Sequence, residues 1–130
     1  MYNYLLPALC VLGAMTSIPA IAQPATPKVT DVLVTLTVKP GIARDQIMKV
    51  MKEEVSATVR LYLDGKIRQW YSRADGRGVV FVLACGSVDE AKATMEGLPL
   101  AKLNLMDYAY LPLAPLQPLA TLLPAAAEHQ

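Results

Sequence analysis

Few side chains in this sequence could carry a reaction, and Glu54 is the first of them. It falls in a stretch of helical spacing, Arg44 to Leu63. There Ile47, Met51, Val55, Thr58 and Tyr62 form an apolar stripe, with Glu54 about 60° from its centre. Glu53 points the other way, with Lys49, Lys52, Ser56 and Arg60. A carboxylate at the edge of an apolar pocket loses solvation, so its pKa rises toward working pH. Such a group can remove a carbon-bound proton and return it to another carbon, as a double-bond shift requires. The competing reading is a boundary Glu paired with a nearby Arg or Lys.

Arg73 and Tyr71 are the partners expected to complete a catalytic group. Strand alternation puts Arg68 and Arg73 on opposite faces, Arg73 beside Ile67, Gln69 and Tyr71, and Arg68 beside Trp70. The Arg that faces the helices could clamp a substrate carboxylate through two parallel hydrogen bonds; the other would serve a dimer or solvent. Which face looks at the helices stays open, and either Arg can be an ordinary surface residue. Tyr62, Trp70, Tyr71, Tyr108 and Tyr110 offer walls for a flat ring, with a phenol to polarise a carbonyl. Arg68, Tyr62, Trp70 and Tyr108 are the substrate-binding candidates, and core packing is the alternative for each aromatic. Asp107 could orient a tyrosine or an arginine, or be an exposed strand-end acid.

Other chemistries lack their residues. No Cys or His cluster has metal-ligand spacing, and no calcium loop is present, so no metal is expected. The only His, His129, is one residue from the end, so haem has no axial ligand in a folded region and no cofactor is expected. Gly76-Arg77-Gly78 lies in a turn and not before a helix, which removes a phosphate loop. With 12 basic and 11 acidic residues the net charge is +1, too balanced for nucleic acid to be the partner.

The elements that must hold these side chains can be read from periodicity. Asp31 to Val38 alternates as a strand and ends at Lys39-Pro40-Gly41. The helix from Arg44 to Leu63 stops before Gly65. Ile67 to Arg73 is a second strand, Ala74 to Gly78 a hairpin turn, and Val79 to Ala84 a strand apolar on both faces. Ser87 with Glu90 forms a capping box for a helix from Val88 to about Gly97. Pro99 comes next as a stop, and Leu105 to Leu113 is the last strand. The order predicts an α+β, ferredoxin-like βαββαβ fold, an antiparallel four-stranded sheet with two helices on one face. The other sheet face is too apolar to stay bare, which predicts a homodimer pairing two sheets as a dimeric α+β barrel. The enclosed room for a site is expected to depend on that pairing.

The ends differ from the middle. Residues 1–27 carry no charged side chain, and beyond Leu113 only Glu128 does. Tyr4 to Met15 is apolar, and Ala20-Ile21-Ala22 is a small-x-small triplet, so residues 1–22 read as a signal peptide cleaved before Gln23. An uncleaved anchor is the alternative, but the apolar core is shorter than the roughly 20 residues a spanning helix needs. Residues 23–29 read as a linker, 30–115 as the domain and 116–130 as a Pro/Ala-rich flexible tail. The protein is thus expected in the periplasm or outside the cell, with no membrane association after cleavage. Removal of Cys10 leaves Cys85, read as a buried, inert thiol.

Three segments resemble the muconolactone delta-isomerase-like family. These are Leu61-Tyr-Leu-Asp-Gly-Lys-Ile-Arg-Gln-Trp-Tyr-Ser-Arg73, Ser87-Val-Asp-Glu-Ala-Lys-Ala-Thr-Met-Glu-Gly-Leu-Pro-Leu100, and Met106-Asp107 with Leu111-Pro-Leu113. The resemblance implies the dimeric α+β barrel fold, and an isomerase acting on an unsaturated lactone or aromatic-derived acid. Counted back from Gly65, Glu54 matches an acid of the isomerase pattern; Gln69 stands where those isomerases have a His. Two further readings keep the same fold. One is a module binding a small apolar or aromatic-derived molecule without turnover. The other is a structural dimer whose pocket is filled by its own side chains.

Overall fold

A computed structural model describes residues 26–116. The expected signal peptide, the tail beyond Leu116, Cys10 and His129 lie outside the described residues. Strands β1 (Asp31–Val38), β2 (Ile67–Ser72), β3 (Gly78–Leu83) and β4 (Met106–Leu113) form one antiparallel sheet in the order β2-β3-β1-β4. With helices after β1 and β3, this is the ferredoxin-like α+β arrangement. Alternation in β1 sorts its faces: Val32, Val34 and Leu36 are fully buried, while Leu33, Thr35 and Thr37 are only partly covered. Register carries that division across the sheet, placing Phe81 beside Val34 and Leu83 beside Val32. Ala91, Met95, Leu98 and Leu100 from the helices close this core.

The long helix expected over Arg44–Leu63 is two: α1 (Arg44–Met48) and α2 (Met51–Leu63). Val50, at φ −113° and ψ 3°, leaves the helical region between them. The break re-phases α2 relative to α1. Val55 and Tyr62, expected on the buried stripe, are exposed, while Glu54 and Thr58 are the buried residues of α2. Helix α3 (Val88–Glu96) starts as its cap predicts, with the Glu90 N–H donating to Ser87 Oγ at 3.2 Å. The Glu90 carboxylate reaches one residue further back, to the Gly86 N–H at 3.1 Å. Pro99 does not simply stop the chain: it opens a short helix, α4 (Pro99–Lys102), at the position where its missing N–H costs nothing.

A bulge in β2 overturns one expectation about the arginines. Ile67 pairs with Leu83, and the register then shifts so that Gln69 pairs with Val82. The extra residue, Arg68, breaks the alternation, so Ile67 and Trp70 share the core side. Arg68 ion-pairs with Asp31, and Arg73 hydrogen-bonds Thr37. Asp31 and Thr37 both point to the face away from the helices, so the two arginines are not on opposite faces.

The β2–β3 hairpin depends on one glycine. A Cβ on Gly78 would lie 1.9 Å from the Leu36 carbonyl oxygen on the neighbouring strand, and backbone cannot yield there. Gly78→Ala is therefore expected to cost about 3 kcal/mol, measured by urea unfolding. No helix among the described residues is long and apolar enough to cross a membrane.

Candidate functional site

Helix α3 packs on β1 and β4, whereas α2 reaches the sheet through β2. The space left beneath α1 and α2, beside the β2–β3 hairpin, is a cavity of about 930 Å³. Its walls are mostly apolar, from Leu36, Ile47, Met51, Val55, Val59 and Phe81, with Trp70 at the edge-strand side. The residues of one chain line it, on the helix side of the sheet. In one chain it is a half-open cleft, and its closure by a second copy stays a proposal. The volume is enough for a small organic ligand, and the chain's own side chains do not fill it.

Glu54 lies in the middle of the buried face of α2, not at its edge, and is only 6% exposed. Its Oε2 accepts from the Leu100 N–H at 2.9 Å, which satisfies a free donor in the first turn of α4. The Thr58 hydroxyl donates to the Glu54 carbonyl at 2.8 Å, so it does not occupy the carboxylate. Burial raises the Glu54 pKa above the ordinary carboxylate value, and the Leu100 N–H opposes this only in part. No acid–base pair neutralises the group: Glu54 takes part in none of the ion pairs among the described residues. The boundary ion pair expected as its alternative role is not formed.

Of the other candidates, Trp70 joins this site, whereas Tyr62 is exposed and outside the lining. Trp70 lines the cavity and stacks on Tyr62 from α2, ring centroids 4.7 Å apart and planes 12° off parallel. Tyr108 sits on the same side of the sheet, opposite Leu36 in register, beyond the cavity lining. It stacks with Tyr110, 6.4 Å between centroids. The structure does not bring Arg73, Tyr71 and Arg68 to Glu54. Tyr71 contributes to the cavity rim, but it pairs with Val80 on the far face and its hydroxyl donates to Gln69 at 3.1 Å. Arg73 is engaged with Thr37 and Asp75, and Arg68 with Asp31. Asp107 lies 4.0 Å from Lys39. Cys85 is buried, and burial pushes its thiol pKa up.

Three cations that sequence reasoning did not single out do border the cavity: Lys39, Arg44 and Arg77. Among the described residues Glu54 is the one acid in the lining. Lys39 bonds Asn104, whereas Arg44 and Arg77 form no ion pair among the described residues. They come from a strand end, a helix start and a hairpin turn, and only the fold gathers them. An apolar chamber holding one buried carboxylate, with cations at its border, suits an organic anion with a proton to move. Among the described residues no three His, Cys, Asp or Glu side chains converge as a metal site would need. No protein-family model matches the chain, and no curated protein is significantly similar to it.

Proposed function

We propose that this protein is a small-molecule isomerase, similar to the muconolactone delta-isomerases, which shifts a double bond in an unsaturated lactone or aromatic-derived acid. One observation carries the reading: Glu54 is a buried carboxylate, with raised proton affinity and no ion pair, on the wall of an apolar cavity of about 930 Å³. In the proposed step, ionised Glu54 removes a proton from the saturated carbon at the far end of the conjugated system. The electron pair delocalises through the double bond into the carbonyl as a dienolate, and Glu54 returns the proton to the carbon beside the carbonyl. Atoms and charge balance without a cofactor. Arg44 and Arg77 hold the ligand's carboxylate at the border, and Trp70, with Tyr62 stacked on it, covers its flat ring. In this reading the catalytic role moves away from Arg73 and Tyr71, whose side chains serve the opposite face.

A second reading is favoured by the Glu54–Leu100 bond. Here Glu54 only anchors α4, and the cavity binds an apolar or aromatic-derived molecule without turnover. Glu54→Gln separates the two, because a Gln oxygen can still accept the Leu100 N–H but cannot take a proton from carbon. Exchange of ligand protons with solvent that is lost in the variant, while binding is kept, supports the first reading. A wild-type chain that binds the acid but exchanges none of its protons would leave only the second.

The open face of the sheet supports the proposed homodimer. Leu33, Val80, Val82 and Ala109 make an apolar centre, and the Arg68–Asp31 and Arg73–Asp75 pairs lie around it. Apolar centre and charged rim are the ordinary anatomy of a subunit interface. Export to the periplasm or beyond stays a proposal resting on residues 1–22.

The border cations make a further prediction. The double variant Arg44→Ala/Arg77→Ala should weaken binding of an unsaturated lactone acid at least about tenfold. Binding of the matching methyl ester should change little, as titration calorimetry at two salt concentrations would read.

A further inference from the structure

Five of the large apolar side chains left exposed among the described residues gather at one place. Met48, Val55, Val59, Trp70 and Tyr71 all stand around the Glu54 cleft. Exposed apolar groups scattered singly need no explanation, whereas a patch with a charged border marks a binding surface. Met51, Val55 and Val59 recur at every fourth residue of α2, a spacing that lays them along one face. From Met51 to Val59 that face runs about 12 Å.

The cleft also has a direction. The Val38 N–H, at the end of β1, donates to the Arg77 carbonyl at 3.0 Å, and Arg44 opens α1 shortly after that strand ends. Both cations therefore belong to the hairpin end of the sheet. Helix α2 leads back from there toward Ile67, which pairs with Leu83 at the other end. Along α2 the lining gives Met51, then Glu54, then Val55 and Val59. A ligand held by its carboxylate at Arg44 and Arg77 thus presents its middle to Glu54 and its remainder to the exposed apolar face. A bare lactone acid would leave that face to water. The cleft, at about 930 Å³, is also near the top of the roughly 300–1,000 Å³ that small-molecule sites span.

We infer that the ligand of this cleft is an amphipathic acid, whose carboxylate-bearing head continues into an alkyl chain or second ring laid along Val55 and Val59. The inference rests on the reading of the cleft as the isomerase site, and narrows its substrates to lactone acids with a large apolar substituent. Charge at one end and apolar surface along the rest match the two parts of such a molecule.

Titration calorimetry of the full chain with hexanoate, octanoate and decanoate tests this without turnover. Each methylene on a wall open at one side captures roughly half of a full burial, a gain of about twofold, so decanoate should bind at least about tenfold tighter than hexanoate. Decylammonium, of similar length and opposite charge, should bind at least about tenfold more weakly than decanoate. Val59→Asp changes an exposed position, and should cut the gain from hexanoate to decanoate below about threefold. A flat series in the wild-type chain, equal binding of the cation, or an undiminished series in Val59→Asp overturns the inference. Light scattering of Val59→Asp should match the wild-type chain; a smaller particle would assign this face to a second copy and also overturn it. A steep series without exchange of lactone-acid protons keeps the amphipathic acid and loses the isomerase reading. Exchange with a flat series does the reverse.

Discussion

Glu54→Gln lowers the rate of proton exchange on a bound unsaturated lactone acid by about 10²–10⁴-fold, the usual contribution of a placed acid–base group. The same substitution makes the chain more stable at neutral pH. Both effects have one cause. Burial raises the Glu54 pKa in the folded chain above its unfolded value, so the folded chain binds that proton more tightly. The stability this group contributes is fully present below the unfolded pKa of 4.5 and is lost as pH climbs through the raised folded value. Gln carries no charge, keeps an acceptor for the Leu100 N–H, and removes this pH dependence. Glu54→Ala acts oppositely on stability: it orphans the Leu100 N–H and opens a void, costing about 1–3 kcal/mol. Urea unfolding of the three chains between pH 4 and pH 8, beside an exchange assay, reads all of these outcomes. Loss of function coupled to gain in stability is the signature of a group kept for chemistry and not for folding.

Val82→Asp separates the proposed dimer while leaving the cavity in working order. Val82 pairs with Leu33 on one side and Gln69 on the other, in the middle of the open face. In a lone chain the new carboxylate reaches water. In a dimer two copies would be buried against apolar surface, and the dissociation constant should rise by at least about 10³-fold. Light scattering across a concentration series reads the change. Ligand binding should persist in the single-copy form, because Glu54, Trp70, Arg44 and Arg77 border the pocket on the helix side of the sheet, away from the open face that carries Val82. Binding lost together with the dimer would place part of the site on the second copy.

Strand order, hairpin and most element boundaries were legible because alternation in Asp31–Val38 reports burial directly, and the unbroken apolar run Val79–Ala84 marks a central strand. The division of Arg44–Leu63 was not. Nothing local marks Val50 as a break, and the rotation that brings Glu54 to the middle of the buried face results from it. The arginines were misplaced for a related reason: strict alternation assigns opposite faces, and a single bulge at Arg68 cancels that count. Helix α4 hid behind Pro99, which opens short helices as well as ending long ones. At the site, the chemistry of Glu54 and the apolar wall near Trp70 could be read from residue type and phase. The cation border could not, since Lys39, Arg44 and Arg77 meet only through the tertiary fold.

Deuterium transfer into an unsaturated lactone acid, such as muconolactone, incubated with the protein in heavy water and followed by NMR, bears on the carboxylate itself. The wild-type chain should place deuterium on the carbons between which the double bond moves, and Glu54→Gln should place almost none while still binding the acid. Equal labelling by both chains, or none by a wild-type chain that binds the acid, would contradict proton transfer at Glu54.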